Sequence, residues 1–154
     1  MPKHLSIAFS LLASALILVA CSKEAQDTHP QQLVSKRQAI FKKMTKTLEP
    51  MGLVARERKD YNKLEFQENA LALQELASQP WALFTTDGNY PPTRAKPEVW
   101  QKAVDFKNAQ DNYLASVEQL VKISGNADLN AIRDAVNGVE KSCKSCHDQF
   151  RNER

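Results

Sequence analysis

Apolar residues recur along this chain at three- and four-residue steps in four stretches, and none of the stretches shows a convincing period of two. The first runs from about Pro30 to Met51, with Leu33, Arg37, Ile40, Phe41, Met44, Leu48 and Met51 on one face and Gly52 where a C-cap glycine belongs. A second, from about Arg58 to Ser78, carries Tyr61, Leu64, Leu71 and Leu76 on one side and Phe66, Leu73 and Ala77 on another; Pro80 ends it. Residues 79–95, holding Pro80, Gly88, Pro91 and Pro92, form the one long connection. The third stretch starts at Pro97, shows Trp100, Val104, Phe106, Tyr113, Leu114, Val117, Leu120 and Val121, and stops before Ser124-Gly125. A fourth opens at Asn126 as N-cap and continues through Leu129, Ile132, Val136 and Val139 towards Phe150. Four helices with one longer loop predict an all-α, antiparallel up-down-up-down four-helix bundle over residues 30–154.

The start of the chain carries a different pattern. Lys3 and His4 precede an apolar run from Leu5 to Ala20, broken only by Ser6, Ser10 and Ser14. A run of that length rises about 24 Å as a helix, short of the ~30 Å hydrocarbon core. A charged start, a short apolar stretch and small residues at its end read as a secretory signal over residues 1–20. Its last residues, Leu18-Val19-Ala20-Cys21, resemble a bacterial lipobox, in which the Cys becomes the lipidated first residue of the mature chain. Ser22 resembles the residue that follows in lipoproteins sorted to an outer membrane. Residues 21–29 are then a polar tether, and the expected location is the periplasm of a Gram-negative bacterium, at the outer membrane through Cys21.

Composition narrows the function classes. The chain has 154 residues, a formal charge of +3, 42% hydrophobic and 25% charged residues, which is ordinary for a globular domain. The small, scattered basic excess gives no reason to expect a nucleic-acid partner. Three cysteines remain to be explained in an exported chain.

Two of them sit in Cys143-Lys144-Ser145-Cys146-His147, the attachment signature of c-type haem. On a helix, Cys143 and Cys146 are three apart and Cys143 and His147 four apart, so all three share a face. Both thiols can then form thioethers to one haem while the imidazole meets the iron from the same side. A thioredoxin-like dithiol wants a βαβ context, and a structural zinc site wants four ligands where the mature chain adds only His29. An inert disulfide is the remaining competitor. With Cys21 lipidated and Cys143 and Cys146 attached to one covalent haem c, no thiol is left over.

A C-terminal Cys-x-x-Cys-His on the last helix of a four-helix bundle resembles the cytochrome c′ family. Arg37-Gln38-Ala39-Ile40-Phe41 resembles the family's distal segment, Pro80-Trp81-Ala82-Leu83-Phe84 with Lys96-Pro97-Glu98-Val99-Trp100 its second-to-third helix connection, and His147-Asp148-Gln149-Phe150-Arg151 its tail. The lipobox departs from the family, whose members are usually soluble periplasmic proteins. The resemblance implies His147 as axial iron ligand, Arg151 in the proximal pocket, Arg37 and Gln38 near the haem edge and propionates, and Phe41 over the iron. For Arg151 an ordinary cation at a helix C-terminus competes, and for Arg37 a surface ion pair. A phenyl ring cannot ligate, so the implied iron is five-coordinate and high-spin. The resemblance further implies that this iron binds nitric oxide and carbon monoxide and exchanges electrons with an unidentified redox partner. If the register is one turn off, Met44 becomes the sixth ligand of a low-spin electron-transfer cytochrome. A haem-free structural lipoprotein is the third reading. No base–nucleophile pair points to an enzyme. The resemblance also implies a homodimer through the first two helices.

Overall fold

The computed structural model describes residues 25–125 and 128–153. The signal segment 1–20, Cys21 and Asn126 lie outside the described residues.

Four long helices make the bundle: α1 (Leu33–Ala55), α2 (Lys63–Ala77), α4 (Ala103–Ser124) and α5 (Leu129–Phe150). A one-turn helix, α3 (Glu98–Gln101), precedes α4. α1 packs on α2 and α5, and α4 packs on the same two, which closes a four-membered antiparallel ring. Met44, Met51, Phe66, Leu73, Leu120 and Ile132 fill its interior. Among the described residues, no helix is long and apolar enough to cross a membrane.

Several element boundaries differ from the expectation. Gly52 does not cap α1: it is buried inside the helix, which runs on to Ala55 past Pro50. Met51 and Ala55, one turn apart, are 1% and 6% exposed, and their burial outweighs the weak helix preference of Pro and Gly. α2 begins at Lys63 instead of Arg58 because Asn62 is its cap, the side chain accepting from Glu65 N at 3.1 Å. The third stretch is broken at Lys102 (φ −116°, ψ 51°). Before the break Val99 is buried and the Trp100 indole donates to the carbonyls of Phe84 (3.0 Å) and Thr85 (2.9 Å). After it Val104, expected on the apolar face, stands 74% exposed. The cap of α5 is Asp128, whose carboxylate accepts from Ala131 N at 2.8 Å.

The polar segment before α1 is anchored in part. Gln32, the N-cap residue of α1, offers no side-chain hydrogen bond to the helix. Ser35 N instead donates to Asp27 Oδ2 (2.9 Å), and Val34 N to the Tyr90 hydroxyl (3.3 Å). That hydroxyl donates in turn to Asp27 Oδ2 at 3.2 Å, and the His29 ring stacks on Tyr90 at 4.4 Å. Burial works to raise the Asp27 carboxyl, but the Ser35 and His29 amides outweigh it and hold the pKa below its ordinary value.

Candidate functional site

Cys143, Cys146 and His147 lie on the last turns of α5, at the end of the bundle where α1 begins and α2 finishes. Val136 and Val139, both fully buried on the preceding turns of α5, set the rotation at which the three side chains emerge. Cys143 is half-buried and packs against the core. Cys146 opens on a cleft of about 220 Å³ between α4 and α5, lined also by Asn108, Asn112, Ser142, Ser145 and Gln149. Neither thiol is in a disulfide.

The electrostatics favour the neutral form of all three groups. Burial pushes the Cys143 thiol up to about 11, with the nearby Cys146 and Glu140 adding to the shift, and burial raises Cys146 as well. Reactive and redox thiols need the opposite displacement, towards thiolate. Burial, with Arg151 and Arg94 adding to it, lowers the His147 imidazole to about 4. An uncharged imidazole keeps a lone pair free, which ligation of a metal requires. Arg151 Nη1 lies 3.4 Å from His147 Nε2, so the expected neighbour of the histidine is beside it.

A short antiparallel pairing holds this tail in place. Lys96 N donates to the Phe150 carbonyl (2.9 Å) and Asn152 N to that of Arg94 (2.8 Å), around an Ala95–Arg151 bridge. Lys96 Nζ reaches the Asp148 carbonyl at 2.8 Å. The segment before α3 therefore braces the turn that carries His147.

Around this end stands an aromatic cluster that sequence reasoning only partly found. Phe41 meets Trp81 and Phe84 edge-on, with centroids 6.0 and 6.2 Å apart. Trp81 also meets Phe106 and Tyr113, each at 6.1 Å, and Phe106 meets Phe150 at 5.2 Å. No motif or spacing singles out Trp81, Phe84, Phe106 and Tyr113 as site residues. The density of aromatics after Pro80 was the available signal, but only folding brings them beside α1 and α4. Met44, in contrast, is 7% exposed and belongs to the core of the bundle.

Arg37 makes no surface ion pair. Only 3% exposed, it donates to the carbonyls of Leu83 (3.1 Å) and Gly88 (2.9 Å) and to Thr93 Oγ1 (2.5 Å), with its guanidinium 4.6 Å from the Phe84 ring centroid. It therefore fastens the long connection to α1. Gln38 is half-buried next to it.

The family profile "Cytochrome C'" matches residues 32–151. A cytochrome c′ from Alcaligenes xylosoxydans xylosoxydans is 30% identical over 131 residues, covering 84% of this chain and all of the relative. One from Rubrivivax gelatinosus is 29% identical, over 79% of this chain and 95% of its own length. Among solved structures, the nitric oxide complex of a point variant of cytochrome c′ from Alcaligenes xylosoxidans superposes with a TM-score of 0.77 at 28% identity, covering 84% of this chain and 100% of that one. A carbon monoxide-bound variant of the same protein gives 0.76 at 28% identity, over 83% and 100%.

The donor set fits the group those relatives carry. Two unpaired thiols three residues apart suit two thioethers, a neutral imidazole beside them suits the iron, and the aromatic rings supply an apolar wall. With its two thiols, its histidine and its helical bundle in register with these relatives over nearly all of their length, the chain belongs to the cytochrome c′ family and carries covalently bound haem c.

Proposed function

We propose that this protein binds nitric oxide, and carbon monoxide, at a five-coordinate, high-spin haem iron and exchanges electrons in the periplasm, held at the outer membrane by lipid on Cys21. The observation that carries this reading is the placement of Phe41. It faces the aromatic cluster at the Cys143 end of the bundle, while Met44, the candidate sixth ligand, is packed into the core. Cys143 and Cys146 would hold the haem c and His147 would ligate its iron, which would supply the chemistry for binding a diatomic gas.

The protein's own side chains favour gases that need little polar help. The Trp81 indole N–H donates to the Ala77 carbonyl at 2.6 Å, and that of Trp100 to Phe84 and Thr85. Neither is left to stabilise a polar bound ligand, and the Phe41 ring has no donor at all. Bound oxygen wants such a donor; nitric oxide and carbon monoxide need one less. The structural relatives that hold nitric oxide and carbon monoxide support the same choice. Binding and electron exchange, with no turnover of a substrate, is the role we assign. A haem-free structural lipoprotein is set aside by the family's cofactor.

The optical spectrum of the purified ferrous protein tests this reading. A high-spin, five-coordinate spectrum is expected, unchanged in Met44→Leu and converted to low-spin, thioether-ligated haem in Phe41→Met. A low-spin wild type that Met44→Leu alone turns high-spin overturns the reading in favour of a six-coordinate electron-transfer cytochrome.

A further inference from the structure

Asp27 and His29 are clasped to the end of the bundle that carries the haem-attachment motif. Asp27 and Tyr90 together satisfy two of the first amides of α1, Ser35 N and Val34 N, which have no intrahelical partner of their own. His29 adds a ring stack on Tyr90 and a backbone bond from its N–H to Asp27 Oδ1 at 3.1 Å. Tyr90 belongs to the connection whose Trp81 and Phe84 line the site, and the end of that connection pairs with residues 150–152. Clasp and haem site therefore share one end of the molecule.

The lengths involved decide the consequence. Between Cys21 and Asp27 there are six peptide steps, which span at most about 20 Å whatever their conformation. The bundle is longer: the 23 residues of α1 rise about 35 Å. While the clasp holds, Cys21 falls about 15 Å short of the far end, where α1 meets α2 and α4 meets α5, so that end cannot stand against the surface in which Cys21 is anchored. With the clasp open, the free chain would run from Cys21 to Leu33, about 40 Å at full extension, and either end could turn inward.

We propose that residues 25–35 act as a docked strap that turns the haem-bearing end of the bundle towards the lipid surface in which Cys21 is anchored. The inference rests on the lipidation of Cys21 given above and adds an orientation to it. The surface concerned is a phospholipid bilayer, met by the α1 N-terminus, the 79–95 connection and the tail after His147.

The test uses the full-length, lipidated holoprotein in vesicles of phosphatidylethanolamine and phosphatidylglycerol carrying a headgroup fluorophore, which the haem quenches by energy transfer. Strong quenching is expected in the wild type. It should fall on the order of twofold in Asp27→Ala/Tyr90→Phe, and likewise when about ten Gly-Ser residues are inserted between Ser22 and Lys23, a change that leaves the clasp intact. The insertion keeps the test valid should the double variant fold poorly. Membrane-bound protein whose quenching is the same with and without the clasp, or the added slack, overturns the strap alone. Wild-type protein that fractionates as soluble, as Cys21→Ser should, overturns the lipidation reading and this orientation with it.

Discussion

Arg37 joins α1 to three oxygens that lie 46 to 56 positions further along the chain, all in the connection between α2 and α3. Its removal would strand the Leu83 and Gly88 carbonyls in a buried setting and leave the Phe84 ring without its cation. Buried acceptors that lose a charged donor cost about 1–3 kcal/mol each before relaxation. Arg37→Met should therefore lower stability by about 2–4 kcal/mol, read as a shift of the urea midpoint at unchanged slope. Gly88 is the matching position on the loop. A Cβ there would come within 2.7 Å of Arg37 Nη1 and 2.9 Å of the Leu83 carbonyl oxygen, and a backbone atom cannot step aside cheaply. Gly88→Ala should cost about 1–3 kcal/mol, and the cost should shrink in the Arg37→Met background because the two positions share partners. Additive losses would show that the guanidinium does not organise the loop.

At the scale of elements, caps and interior glycines set opposite expectations. α2 and α5 each start on a side chain that accepts from the third residue of the helix, Asn62 and Asp128. Asn62→Ala and Asp128→Ala should each destabilise by about 1 kcal/mol. Gly138, inside α5, is open: a Cβ there meets nothing within 4 Å. Gly138→Ala should stabilise by about 0.5–1 kcal/mol through helix propensity alone. Thermal unfolding of the three holoproteins checks the signs, and a destabilised Gly138→Ala would reveal a neighbour on that face of α5. α3 shows the limit of such local accounting, since its one turn is held by burial of Val99 and the Trp100 indole bonds and not by any cap of its own.

For the molecule as a whole, the exposed face of α2 bears on assembly. Leu64 and Leu71 are 67% and 46% exposed and lie seven residues apart, which puts them on one stripe of the helix. Pairing of two copies through α1 and α2 would cover that stripe. Sedimentation should show a dimer for the wild type and a monomer for Leu64→Glu/Leu71→Glu, with the haem spectrum unchanged because the stripe faces away from Cys143. A wild type that sediments as a monomer at micromolar concentration would end that expectation.

Local chemistry determined what could be read directly. The spacing of Cys143, Cys146 and His147 is a property of any helix, so the attachment site was legible before folding. The 3.6-residue recurrence of Leu, Met and Val was enough for four helices and a bundle, because each apolar stripe must be buried against another. Boundaries were not legible in the same way. Burial of Met51 and Ala55 carried α1 through Pro50 and Gly52, which local propensity alone reads as a stop. Nor did spacing reveal that Asp27 and Tyr90 would cap α1, that Arg37 would fasten the loop, or that Trp81, Phe84, Phe106 and Tyr113 would line the site. Each depends on contacts between residues far apart in the chain, which no local pattern encodes and which form only when the helices close on one another.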